Sequence, residues 1–506
     1  MTWAPPTAYH QLHKPFTAFL SPCKTPALHL LISCSSTESC NRDNKGHYHS
    51  PSRSQQSFQK IKKNHSLQPK RLNQRHKRDS FVEWVKEKKQ SDATDILQQD
   101  GDWSKEQFWD FIRFLRESSR TSEILQAFDL WKDVEKSRIN EENYVKIISL
   151  LFEDGLTDAA ILALKQVESH GIRPSLEMYN VVIHGFARAG RFEDAVFYLE
   201  EMMNAGLKPD TETYDGLIQS YGKYGMYDEI GRCLREMESS GCLPDYVTYN
   251  LLIREFAKAG LLNKMESTYS ALLAKRMDLQ NSTLVAMLEA YANFGILDKM
   301  EKVFRRVLNS KAYLKDDLIR RLARVYIEKL MFSRLEDLGL DLSSRTGSTD
   351  LVWCLRLLSH ACTMSKKGMY FIIQEMESSE VPWNVTTANI MALAYLKMKD
   401  FTHLEILLSE LPSRYVKPDI VTVGVLFDAI MSGFRGNPVK RLWTKTGFFD
   451  DTVEMNTDAL VLIAFGKGKF LKDFEEMFPL FEAKTRNGMW TYRHLIDSVK
   501  TRFVGG

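Results

Sequence analysis

No stretch of the 506-residue chain approaches eighteen consecutive apolar residues, so the sequence offers no membrane-spanning helix. Cysteine is scarce, at seven. The four beyond residue 78, Cys233, Cys242, Cys354 and Cys362, form no CxxC pair and have no suitably spaced histidine, which excludes a zinc site of ordinary spacing. Buried thiols on helices are their expected role. GxxxxGK[ST], HExxH and GxSxG are all missing, and with them the phosphate-cradling loop, the zinc protease helix and the serine nucleophile elbow. Neither a catalytic site, a cofactor nor a metal is expected.

Acidic residues are also missing where they would matter most. Residues 1–78 carry thirteen Lys or Arg against only Glu38 and Asp43, leaving 55 basic against 63 acidic residues downstream. The leader is rich in Ser, Thr and Pro and has no helical or strand periodicity, so it cannot bury a core. Such a composition reads as an organelle transit peptide. The first thirteen residues hold no Lys or Arg, and the first Arg is Arg42, which favours a plastid over the alternative, a mitochondrion. Residues 79–105 are expected to form a linker and N-terminal cap.

What is present is a repeat. RPSLEMYNVVIHGFARAG, KPDTETYDGLIQSYGKYG and LPDYVTYNLLIREFAKAG follow one another at intervals of 35 residues. A fixed period of this length decides a fold. Repeats run 106–140, 141–175, 176–210, 211–245, 246–280 and 281–315, then with one-residue losses 316–349, 350–384, 385–419, 420–453 and 454–488. The clearest are 141–315 and 385–419. Residues 489–506 form a capping helix and tail.

Inside a repeat, Tyr249, Leu252, Ile253 and Phe256 mark one apolar helix face at i, i+3, i+4 and i+7. Gly190, Gly225, Gly260 and Gly295 end the first helix in a position suited to left-handed backbone. A second amphipathic helix follows, with Ala195, Leu199 and Met202 inward. Proline then stops it, and Asp210 or Asp245 can cap the next helix. One such hairpin cannot bury both faces, so neighbours must stack. The predicted fold is all-α: a right-handed α-solenoid of about eleven helix-turn-helix repeats.

The phrase [KRL]-P-[DS]-x-x-x-Y-[ND]-x-[LV]-I, with Gly closing the first helix and E-M-x-x-x-G the second, resembles the pentatricopeptide repeat across roughly residues 106–500. The resemblance implies an organelle-targeted, single-stranded RNA binder of the repeat-only class, acting in RNA processing, stability, splicing or translation without catalysis. The H-x-E and P-C-x-x-C signature of deaminase-bearing relatives is absent.

Repeats of this kind read one base each. The resemblance places base reading at the fifth and last residues of a repeat. Asn180 with Asp210, and Asn389 with Asp419, match the pairing for uracil. Asn250 with Gln280 suggests a pyrimidine, and Asp215 with Asp245 fits no standard pairing. Pyrimidines are therefore expected at relative positions 0, +2 and +6 of the target. Val145, Val285, Arg320, Cys354 and Gly424 occupy other fifth positions and cannot make the expected contacts. Arg188, Lys223, Lys258 and Lys397 share the thirteenth position and form a candidate ridge for RNA phosphates; the plainer alternative is solvated cations at helix C-termini. The competing function is a protein-binding scaffold, favoured by the net-acidic body and the many unmatched fifth positions.

Overall fold

The computed structural model describes residue 96, residues 103–482 and residues 491–497; the leader at 1–78 and most of the linker lie outside them. The described residues are helical apart from turns and one isolated bridge between Thr452 and Thr491. The first pair of helices is α1 (Lys105–Glu117) and α2 (Ile124–Val134). Four regular hairpins follow: α3 (Glu141–Glu153) with α4 (Thr157–Ser169), α5 (Leu176–Arg188) with α6 (Phe192–Asn204), α7 (Thr211–Lys223) with α8 (Tyr227–Ser239), and α9 (Tyr246–Lys258) with α10 (Leu262–Ala274). Next come α11 (Asn281–Asn293) and α12 (Leu297–Leu308), then α13 (Asp316–Glu328) and α14 (Ser333–Thr346). They are succeeded by α15 (Asp350–Cys362) with α16 (Lys366–Ser378), and α17 (Val385–Lys397) with α18 (Phe401–Glu410). The last are α19 (Ile420–Met431), α20 (Asn437–Lys445), α21 (Ala459–Phe465) and α22 (Lys469–Glu482).

The chain divides into two compact bodies, one ending at Met287 and the other beginning at Leu288. In the N-terminal body the apolar stripes do what their period requires. Leu252, Ile253 and Phe256 are buried on α9, and Ala195, Leu199 and Met202 on α6. Tyr249 is only half-buried. The first helices α3, α5, α7 and α9 pack successively against one another, while the second helices α2 and α4 meet through side chains, Lys132 Nζ donating to Gln166 Oε1 (2.6 Å) and Gln166 Nε2 to Asp129 Oδ1 (3.0 Å). The first helices therefore form one continuous face.

Each first helix starts and stops for a local reason. Asp210 and Asp245 accept backbone N–H bonds from Thr213 (2.9 Å) and Thr248 (3.0 Å), filling donors that have no partner inside the helix. At the other end of α5, Gly190 takes φ +78°. Its N–H bonds Ala187 O (3.1 Å) and that of Arg191 bonds Phe186 O (2.9 Å), the Schellman arrangement.

The C-terminal body departs from this scheme in its last repeat. The sequence period predicts a hairpin over 454–488 stacked like the others. Instead, α21 has seven residues and lies across the first helices α13, α15 and α17. The following helix, α22, packs on α19. The cause is legible in ALVLIAF, the whole of α21, an apolar stretch that buries Leu460, Val461 and Phe465 against these helices and leaves Ala459 and Ile463 exposed. The expectation of buried thiols on helices holds for Cys233 and Cys354; Cys362 is on a helix but only half-buried, and Cys242 is half-buried in the loop after α8.

Candidate functional site

The fifth residue of each clear repeat sits on a first helix and faces the start of the next first helix. In the N-terminal body the meeting point is a buried threonine at the third position of the following repeat. Thr213 Oγ1 donates to Asn180 Oδ1 (2.7 Å) and also lies 2.9 Å from Asp210 Oδ1. The fifth and last residues of repeat 176–210 are thus joined through one hydroxyl. Asn250 meets its partner differently: Gln280 N donates to Asn250 Oδ1 (2.9 Å), and Asn250 Nδ2 donates to Tyr246 O (2.7 Å) and Asp278 O (2.8 Å). Both sides of that amide are therefore already engaged within the protein.

Asp215 is the electrostatic exception in the row. Burial pushes its carboxyl up to about 6, aided by the charges of Asp245 and Asp210 and opposed by a hydrogen bond from Thr248 and the charge of Arg254. One of its oxygens, Oδ1, is buried without a hydrogen-bond partner. Sequence reasoning missed Arg254, which reaches across to Gln280 Oε1 (2.8 Å) and lies within the field of Asp215. It also missed the bridging threonines. Their recurrence at the third position, as Thr213, Thr248, Thr283, Thr387 and Thr422, is the signal that would have found them.

Arg188, Lys223 and Lys258 are exposed at the ends of α5, α7 and α9. Lys223 Nζ donates to Arg188 O (3.4 Å), so neighbouring members of the ridge are in touch. Lys258 differs, because Glu255 holds its ammonium at 2.6 Å. Glu177 and Glu212 are exposed at the second positions.

In the C-terminal body Asn389 and Asp419 also come together, with Nδ2 donating to Oδ1 at 2.9 Å. The same amide nitrogen donates to Thr457 Oγ1 (2.6 Å). The other Asp419 oxygen accepts from Thr457 Oγ1 (2.6 Å), Thr457 N (2.9 Å) and Asn456 N (3.1 Å). Asn389 is fully buried, and Lys397 lies over the Phe465 ring at 5.3 Å. The structure therefore brings this pair together and covers it with the chain's own residues.

Among the described residues no group of three or more His, Cys, Asp or Glu could hold a metal ion. Burial pushes the Cys233 thiol up to about 12 and the Cys362 thiol up to about 11, which keeps both in the unreactive protonated form.

The PPR repeat family profile matches residues 174–221 and 212–258, and the PPR repeat profile matches 247–276. A chloroplastic pentatricopeptide repeat-containing protein of Arabidopsis thaliana is 62% identical over 409 residues, covering 80% of this chain and 81% of its own. Among solved structures, the maize pentatricopeptide repeat protein PPR10 is 14% identical, with a TM-score of 0.38 over 84% of this chain and 66% of that one. Its complex with an 18-nt psaJ RNA element is 18% identical, with a TM-score of 0.38 over 82% and 63%. Yeast Rmd9p in complex with a 16nt target RNA is 13% identical, with a TM-score of 0.33 over 80% and 86%.

Proposed function

The chain belongs to the pentatricopeptide repeat family, and from that premise we propose that it is a sequence-selective binder of single-stranded RNA in the chloroplast. It acts there by occupying RNA rather than by cutting or modifying it. The localisation rests on the basic, acid-poor leader together with the chloroplastic relative. RNA binding rests above all on the juxtaposition of Asn180 with Asp210 through Thr213, on a face formed by successive first helices. An amide presents a donor and an acceptor, which is what the Watson–Crick edge of an unstacked base requires. The cations at Arg188 and Lys223 stand in one register on the same helices, where a phosphate backbone would follow the stack.

Masking RNA is sufficient for a biological effect, since a bound protein can block an exonuclease, open a hairpin or position a separate enzyme. A scaffold reading has one observation in its favour: in the C-terminal body the equivalent row holds a peptide segment. The N-terminal body has no such occupant among the described residues.

The decisive experiment is crosslinking of the tagged protein in its organelle, followed by sequencing of the protected RNA. A short recurrent footprint with a pyrimidine at relative position 0, weakened by Asn180→Ala and by rising salt, is the expected result; the enclosed amide of Asn250 leaves +2 without a preference. Recovery of a stoichiometric protein with no RNA above background would overturn the proposal in favour of a scaffold.

A further inference from the structure

Four repeats of the C-terminal body present fifth positions to one face: Arg320, Cys354, Asn389 and Gly424. Three of the four are of types unsuited to base reading, and each meets the chain's own residues 456–471. Arg320 Nε donates to Asp458 Oδ2 at 2.8 Å. Cys354 is buried in the field of the same Asp458 carboxylate. Asn389 bonds Thr457, as described, and a Cβ added to Gly424 would lie 3.2 Å from Leu471. A side chain there would crowd the seat of α22.

The remaining contacts make this a built fit. Asp458 N donates to Thr386 Oγ1 (2.9 Å), while Asp458 Oδ1 caps α21 by accepting from Leu460 N (3.0 Å). Leu460, Val461 and Phe465 are buried. In place of a direct stack between α13 and α15, α21 lies against both. Lys397, the one C-terminal member of the phosphate ridge, points its ammonium at the Phe465 face. The Asn389 amide nitrogen, the Asp419 carboxylate, Arg320 and Lys397 are thus spent on an internal ligand of matching chemistry, while Asn389 Oδ1 is buried without a hydrogen-bond partner. Thr457 supplies the hydroxyl for Asn389 and Asp419, Asp458 the anion for Arg320, and Phe465 the ring for Lys397.

We propose that residues 456–471 are a resident substitute for RNA on the repeats from 316 to 453, so that RNA is read by the N-terminal body alone. The inference rests on the RNA-binding reading above and removes the pyrimidine expected at +6. It also explains the divergent fifth positions: Arg320, Cys354 and Gly424 are selected to fit the segment rather than a base. The segment holds its place against RNA because its hydrogen bonds are intramolecular and already formed, whereas a nucleotide must lose its own freedom to replace them.

The test uses the full chain and a ladder of oligouridylates of increasing length. At one base per repeat, affinity should stop improving at about six nucleotides. Asn389→Ala should leave affinity unchanged, while Asn180→Ala weakens it about tenfold. The backbone amides of α21 should keep their hydrogen-exchange protection when RNA is added. Thr457→Val combined with Asp458→Ala should loosen the segment and extend the useful length to about ten nucleotides, one more for each of the repeats it covers. Wild-type affinity that keeps rising to that length, Asn389→Ala losing as much as Asn180→Ala, or loss of α21 protection on adding RNA would each overturn the proposal. A double variant that folds, exposes α21 and gains no length would show that this row has no latent RNA site, and would equally overturn it. If the wild type binds no oligouridylate and the crosslinked footprint is also absent, the RNA reading itself has failed. That outcome is distinct from a long footprint, in which the RNA reading stands and only the substitute falls.

Discussion

Asp215 stands where its neighbours in the row, Asn180 and Asn250, carry an amide, and the difference has measurable consequences. Its folded-state proton affinity is raised, from 3.8 to about 6, so the protonated form favours folding and ionisation opposes it. The associated stability is fully present below about pH 4 and lost as pH rises through about 6. Asp215→Asn should therefore melt higher than wild type at pH 7.5, with the advantage vanishing as pH falls through that window; thermal melts across pH check this. The same substitution puts an amide donor in place of an anion with one buried, unpartnered oxygen. RNA affinity should rise severalfold and a pyrimidine preference should emerge at relative position +1, read by selection from a randomised oligonucleotide.

Helix ends carry the next level of the argument, because the residues assigned to base reading at the last position are caps as well. Asp245 accepts N–H bonds from Val247 (2.7 Å) and Thr248 (3.0 Å) at the start of α9, so Asp245→Ala should cost about 1 kcal/mol even without RNA. Asp419→Ala should cost more, about 2–3 kcal/mol, since it also strips Thr457 and Asn456 of their buried acceptor. Chemical denaturation of both variants gives the comparison. The C-terminal ends of the first helices make a second pair. Gly190 takes φ +78° with the Tyr224 ring 3.0 Å from where a Cβ would sit, so Gly190→Ala is destabilising by about 1 kcal/mol or more. At the equivalent place in repeat 385–419 stands Lys399, at φ +54° and exposed. Lys399→Gly should stabilise by about 0.5–1 kcal/mol, because left-handed strain in a non-glycine residue exceeds the entropy glycine adds to the unfolded chain.

At the level of the whole molecule the salt dependence of binding reports how much of the cationic ridge is used. Arg188→Ala should lower the slope of log affinity against log salt by about 0.7, the loss of one phosphate contact on a single strand. Lys258→Ala should lower it less, since Glu255 already holds that ammonium at 2.6 Å. Titrations at several salt concentrations separate the two. What the sequence alone determined was everything that recurs. The 35-residue period, the apolar faces of the paired helices, the glycine stops and the aspartate caps all follow from interactions between residues a few positions apart, so local spacing reveals them. The pairing of fifth with last positions was legible for the same reason, since each pair spans a single hairpin. Tertiary structure alone decided which of those pairs stay open. Asn250 is enclosed by its own repeat and the next, and Asn389 by Thr457, 68 residues further along the chain. No period encodes such a contact. It arises because α21 has Leu460, Val461 and Phe465 to bury, and the row of α13, α15 and α17 is where this fold gives them cover.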